Sequence, residues 1–182
     1  MIFEETKVLG AFLVRTEPAR DERGFFARVF CEREFEAQGL NARFVQDSVS
    51  YNRVRGTLRG MHFQAPPHEE DKLVSCSSGS IYDVVIDLRP GSPSYRRWAA
   101  ATLTAVGLEA LYIPKGCAHG FITLEDDTTV RYCISEFYSP GSGRGVRFDD
   151  PAFAISWPTR PAVISERDLL YPPFEDIVRE SR

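Results

Sequence analysis

Three histidines occur in the chain, and two stand in contexts suited to chemistry. His62 lies in Leu58-Arg59-Gly60-Met61-His62-Phe63-Gln64. His119 lies in Pro114-Lys115-Gly116-Cys117-Ala118-His119-Gly120-Phe121. An unperturbed imidazole titrates near pH 6.5, so it can take or give a proton at working pH. Read as a strand, residues 58–64 put Leu58, Gly60, His62 and Gln64 on one face and Arg59, Met61 and Phe63 on the other. A bulge or twist would still bring Arg59 to the side of His62. His68 stands in a loop of prolines and acids, and is expected to be wet. Lys72 opens the apolar strand Leu73-Val74. Pointing inward, its ammonium needs an anion or an oxygen acceptor; pointing outward, it is an ordinary edge lysine. Positions 132, 134, 136 and 138 share a strand face, so Tyr132, Glu136 and Tyr138 read as a polar lining. Asp168, in Ser165-Glu166-Arg167-Asp168, reads by itself as helix-start chemistry.

The elements that must position these groups are short. Thirteen glycines and twelve prolines punctuate the 182 residues at close intervals. Between them run β-rich segments: 11–16, 25–30, 72–76, 81–88, 98–103, 110–113, 121–124 and 130–137. Many short strands with regular turns predict an all-β sandwich or barrel. Short helices are expected over 32–39 and 166–170, with a last helix or frayed end over 174–182. No strand–helix–strand alternation is present, which disfavours a doubly wound sheet or an α/β barrel. The length suits one domain spanning 1–182. A net charge of −4 without blocks of like charge argues against a nucleic-acid partner. No apolar run reaches the roughly 18 residues of a membrane helix. Residues 1–7 carry three charges and no apolar stretch, so no secretory signal is expected there. Four scattered cysteines, with no CxxC pair, predict reduced thiols and a cytoplasmic setting.

Pro114-x-Gly116-x-x-His119 resembles half of a cupin barrel signature. Metal cupins also carry His-x-His, and here that place reads His62-Phe63-Gln64. With the second histidine missing, no metal site is expected.

A longer series of motifs resembles one family, the dTDP-4-dehydrorhamnose 3,5-epimerases. It comprises Asp21-Glu22-Arg23-Gly24-Phe25-Phe26, Phe44-Val45-Gln46-Asp47, Leu58 to Gln64, Lys72-Leu73-Val74, Asp83 to Arg89 followed by Ser92-Pro93, Ile113 to Phe121, Tyr138-Ser139-Pro140, Trp157-Pro158 and Ser165-x-x-Asp168. The resemblance runs from about residue 20 to 170 in the family's order. It implies a cupin-like jelly roll, no metal and no cofactor. The implied substrate is a nucleoside-diphosphate 4-keto-6-deoxyhexose, and the implied assembly a homodimer whose partner supplies part of each nucleotide site. By the same resemblance His62 is the general base, oriented by Asp168, and Tyr132 the general acid. Lys72 stabilises the C4 oxygen, with His119 and Arg59 near the sugar or diphosphate. Arg23, Gln46 and Tyr138 hold the nucleotide.

The series departs from the family at three places: Arg28 and Gly143 stand where acids are usual, and Ser48 where Asn is frequent. An arginine cannot accept from thymine N3 but can donate to cytosine N3. The sequence therefore raises a CDP- or GDP-linked sugar as an alternative to dTDP. Two further alternatives are epimerisation at C3 or C5 alone, and a non-catalytic barrel that binds a sugar nucleotide.

Overall fold

A computed structural model describes residues 1–175. In chain order the strands are β1 (Ile2–Glu5), β2 (Phe12–Arg15), β3 (Ala19–Asp21) and β4 (Gly24–Phe26). After helix α1 (Glu32–Ala37) come β5 (Gln46–Asn52), β6 (Thr57–Gln64), β7 (Lys72–Ser78), β8 (Ser80–Asp87) and β9 (Trp98–Thr104). β10 (Ala110–Ile113), β11 (Cys117–Thr123), β12 (Thr128–Ile134), β13 (Gly143–Gly145) and β14 (Val163–Ile164) follow, and α2 (Glu166–Leu169) comes last.

Two sheets form a cupin-like sandwich. One has the order β1-β2-β10-β7-β12-β5; the other runs β13-β6-β11-β8-β9, with β14 also on β6. β3 and β4 form a separate hairpin. Alternation along the strands assigns each residue to a layer. Val74, Cys76, Ile81, Val85, Leu103, Leu111, Phe121 and Val130 share one buried cluster. Met61, Val84, Ile86 and Ala118 alternate with them and join Val146, Phe153 and Phe174 in a second. Leu73, Ala110 and Tyr112 pack with Phe35 of α1 in a third. This three-layer burial suits the β-branched and aromatic content of the strands.

The expected elements over 72–76, 81–88, 98–103 and 110–113 correspond to β7, β8, β9 and β10. Both expected helices are present, each shorter at its C-terminal end. Beyond Glu175, the expected helix over 174–182 lies outside the described residues. Two strands end several residues short of what the sequence suggests. The expected strand over 25–30 stops at Phe26; Phe30 leaves the hairpin to pack on Phe35 and Phe44. The expected strand over 130–137 stops at Ile134, which pairs with Gln46 and Lys72, the first residues of β5 and β7. Neither neighbouring strand extends beyond those residues to pair with positions 135–137.

Candidate active site

A cavity of about 350 Å³ opens between the two sheets. One sheet contributes Gln46, Ser48 and Ser50 of β5, Lys72 of β7, and Tyr132 and Ile134 of β12. The other contributes Arg59 and His62 of β6 and Phe121 of β11. Glu70 and Tyr138 close it from loops. The imidazole and the phenol therefore come from opposing walls.

Arg59 and His62 share this wall although strict alternation separates them. β6 pairs His62 with His119 and Arg59 with Phe121, so two residues, Gly60 and Met61, stand opposite Gly120 alone. This is a bulge, and it resets the phase of the strand. Glycine is needed on both sides. A Cβ at Gly60 would lie 2.5 Å from Gly120 Cα, and one at Gly120 would lie 2.6 Å from Met61 Sδ. Arg59 Nε donates to Asn52 Oδ1 at 2.7 Å, which fixes the arginine against β5.

His62 Nε2 and Asp168 Oδ1 are 2.7 Å apart. Asp168 stands in α2, whose N-cap Ser165 accepts from the Asp168 backbone N–H. The other carboxylate oxygen accepts from the Gly60 N–H at 3.2 Å. Burial pushes the Asp168 carboxyl up, but bonds from His62, Gly60 and Ser165 outweigh it and hold the group below its ordinary value. Asp168 is thus an ionised acceptor that keeps the proton on Nε2. Nδ1 is left as the nitrogen free to act as a base.

Lys72 points inward. Its Nζ lies 2.8 Å from Glu70 Oε1, and both side chains are about 10% exposed. The inward lysine has met the anion that its burial requires. Gln64 ties this pair to the loops around it. Its Nε2 donates to Glu70 Oε2 and to the carbonyls of His68 and Phe137, and its Oε1 accepts from Ser139 N. His68 is half-buried rather than wet and does not line the cavity.

Tyr132 is enclosed, and burial raises its phenol well above the usual range. The buried Asp83 carboxylate adds to that shift, while Arg59 opposes it. The phenol keeps its proton at neutral pH and is a donor, not a base. His119 does not line the cavity. It sits a layer deeper, its ring 6.0 Å from that of Tyr132, with Nε2 2.7 Å from Asp83 Oδ1. Burial raises the Asp83 carboxyl despite the opposing effects of His119 and Lys72, and its second oxygen has no partner among the described residues. The two histidines thus belong to two separate carboxylate pairs.

Gln46 accepts from the Tyr138 backbone N–H at 2.9 Å, which places Tyr138 at the cavity mouth. Glu136 is not part of the lining; its carboxylate accepts from the neighbouring Phe137 N–H. Arg23 lies outside the cavity, on the β3–β4 hairpin, bonded to Asp21. Arg28 is exposed. The N-terminal ammonium holds the Glu34 carboxyl low, and Arg28 contributes from nearby. Arg28 does not line this chain's cavity. Gly143 does border the mouth: a Cβ there would lie 3.9 Å from the Tyr138 hydroxyl. Among the described residues, no group of three His, Cys, Asp or Glu side chains is placed to hold a metal ion.

The family model for dTDP-4-dehydrorhamnose 3,5-epimerase matches residues 5–176. The chain belongs to the dTDP-4-dehydrorhamnose 3,5-epimerase family. It is an isomerase of that type. The dTDP-4-dehydrorhamnose 3,5-epimerase of Methanothermobacter thermautotrophicus is 40% identical over 177 residues, which cover 96% of this chain and 95% of that one. The dTDP-4-dehydrorhamnose 3-epimerase of Streptomyces niveus is 39% identical over 160 residues, 87% of this chain and 77% of that one. A crystal structure of the dTDP-6-deoxy-D-glucose-3,5-epimerase of Legionella pneumophila, in complex with dTDP-4-keto-L-rhamnose, has a TM-score of 0.91 and 32% identity. It covers 98% of this chain and 95% of that one.

Sequence reasoning missed Glu70, Asn52, Asp83 and Tyr171 around the site. Glu70 left a signal: an acid two residues before a lysine that needs an inward acceptor. Asp83 left one too, as a lone acid within the apolar run 81–88.

Proposed function

We propose that this epimerase inverts C3 and C5 of a dTDP-linked 4-keto-6-deoxyhexose by proton transfer between His62 and Tyr132. One observation carries the reading: base and acid stand on opposing sheets of one cavity, with the Lys72 ammonium among the groups that line it. A C–H beside a ketone becomes acidic when the enolate oxygen is stabilised. Lys72, held by Glu70, interacts more strongly with the developing oxyanion than with the ketone, so it lowers the barrier. His62 Nδ1 takes the proton from one face of the sugar. The Tyr132 phenol returns one to the other face and inverts the carbon. The C4 ketone activates C3 and C5 alike, so one set of groups serves both carbons when the sugar turns in the site.

The dTDP assignment rests on the family and on the relatives' substrates. Arg28, like Arg23, stands outside its own chain's cavity and reaches a nucleotide only in the site of a second copy, so direct comparison of the sugars decides between dTDP and a CDP or GDP sugar. Turnover of the dTDP-linked 4-keto-6-deoxy sugar in deuterium oxide, followed by NMR, tests the reading. Deuterium at both C3 and C5 is expected, with CDP- and GDP-linked analogues turning over more slowly. Deuterium at one carbon assigns a single-carbon epimerase. A faster CDP or GDP sugar rejects dTDP, and no exchange at all favours the non-catalytic barrel.

A homodimer completes the site in this reading. Arg23 sits on the β3–β4 hairpin away from its own cavity, and that hairpin carries Phe26 at 74% exposure. On the outer face of β5, beside the Asp47–Arg131 ion pair, Val49 and Tyr51 are also bare, at 69% and 56% exposure. Exposed large apolar side chains on a projecting hairpin and on an edge strand suit an interface. A second copy, placing its hairpin by this cavity, covers both and brings an arginine to the nucleotide. Analytical ultracentrifugation at micromolar concentration is expected to give twice the chain mass, and a monomer overturns the assignment.

A further inference from the structure

His62 has a second neighbour besides Asp168. The Tyr171 ring stands edge-on to the imidazole, with centroids 6.1 Å apart and planes at 67°. Space for that ring comes from Gly145, which pairs with His62 across β13 and β6. A Cβ at position 145 would lie 2.2 Å from the Tyr171 ring. Gly145 is not among the glycines with positive φ, so its backbone does not need glycine; the ring does. The Arg167 guanidinium lies over the same ring, 6.0 Å from its centroid. Among the described residues the Tyr171 hydroxyl is buried and meets no hydrogen-bond partner, an unfavourable placement for a polar atom. The ring, not the hydroxyl, accounts for its position.

We propose that Tyr171 is a positioning residue for His62, and that Gly145 is the vacancy that admits it. The bond from Nε2 to Asp168 fixes one point of the imidazole and leaves rotation about that line. An edge-on ring beside it removes the rotation and keeps Nδ1 aimed into the cavity. Misplacement of a reacting group by about 1 Å costs on the order of 100-fold in rate. The inference rests on His62 being the base, so His62→Ala is run in the same assay: its retention of exchange would sink the base assignment, and not the packing.

Steady-state kinetics of Tyr171→Ala, Tyr171→Phe and Gly145→Ala provide the test. Tyr171→Ala is expected to lower kcat about 10- to 100-fold with a smaller change in KM. Tyr171→Phe, which keeps the ring, restores most of kcat. Gly145→Ala pushes the ring away and lowers kcat similarly. Added to Tyr171→Ala it costs little more, because both act through one contact. A purely structural role would instead lower Tm and leave the kcat of the folded enzyme intact. The inference is overturned by a folded Tyr171→Ala within about twofold of the parent kcat, or by losses that multiply in the double variant. If Tyr171→Ala does not fold, Gly145→Ala decides: normal kcat overturns the inference, and a fall in kcat that Tyr171→Phe does not share supports it.

Discussion

His62→Ala is expected to lower kcat by about 100- to 10,000-fold, the range typical for loss of a positioned general base. The variant is expected still to bind dTDP, because the imidazole is not among the proposed nucleotide contacts. Deuterium exchange from solvent is expected to vanish at both carbons together, since in the proposed mechanism one base serves both. The expectation has a clear structural origin. Among the residues lining the cavity, the other ionisable groups are poorly placed to replace the imidazole: Glu70 is engaged by Lys72 and Gln64, and the raised Tyr132 phenol holds its proton. His119 is buried behind Tyr132 and bonded to Asp83. Exchange that persists at either carbon in a folded His62→Ala would show that another group removes the proton, and would end the base assignment. Binding of dTDP, followed by calorimetry, separates that outcome from a collapsed site.

Much of this arrangement was legible from residue types and their order. Tyr132 and its strand follow from alternation, because Val130 shares its side of the sheet and belongs to the inner core, whereas the pattern left Lys72 open between inward and edge positions until its bond to Glu70 settled it. His62 and Asp168 were legible only as motifs, since 106 positions separate them and only the folded chain brings them together. What alternation could not give is the phase change at Gly60. It puts Arg59 beside His62, and it depends on the tight crossing of Gly60 with Gly120. Glu136 shows the opposite error: extrapolating β12 past Ile134 gave it a lining role, although its strand had run out of partners. Arg23 and Arg28 were legible as substrate-facing groups only through family resemblance. Within one chain both stand outside the cavity, and only the proposed second copy brings them to a nucleotide. Tyr171 left no signal, because an aromatic after a short helix looks like any other core residue until its contact with the base is seen.

Tyr132→Phe separates the two proton transfers. The variant keeps the ring, and so the packing against Phe121 and His119, and loses only the hydroxyl. In the proposed mechanism His62 can still remove the proton and Lys72 can still hold the enolate. With no donor on the far wall, the carbanion is reprotonated from the face it left. The His62 side chain is 39% exposed, so the proton it takes can trade with solvent before it returns. The expected result is deuterium entering the unreacted sugar with retention of configuration, while inverted product falls by about 100- to 10,000-fold. NMR of substrate and product in deuterium oxide reads both rates in one experiment. Inverted product formed at close to the parental rate would place the acid elsewhere. Loss of exchange together with inversion would mean that the phenol takes part in removing the proton, which its raised affinity for its own proton argues against.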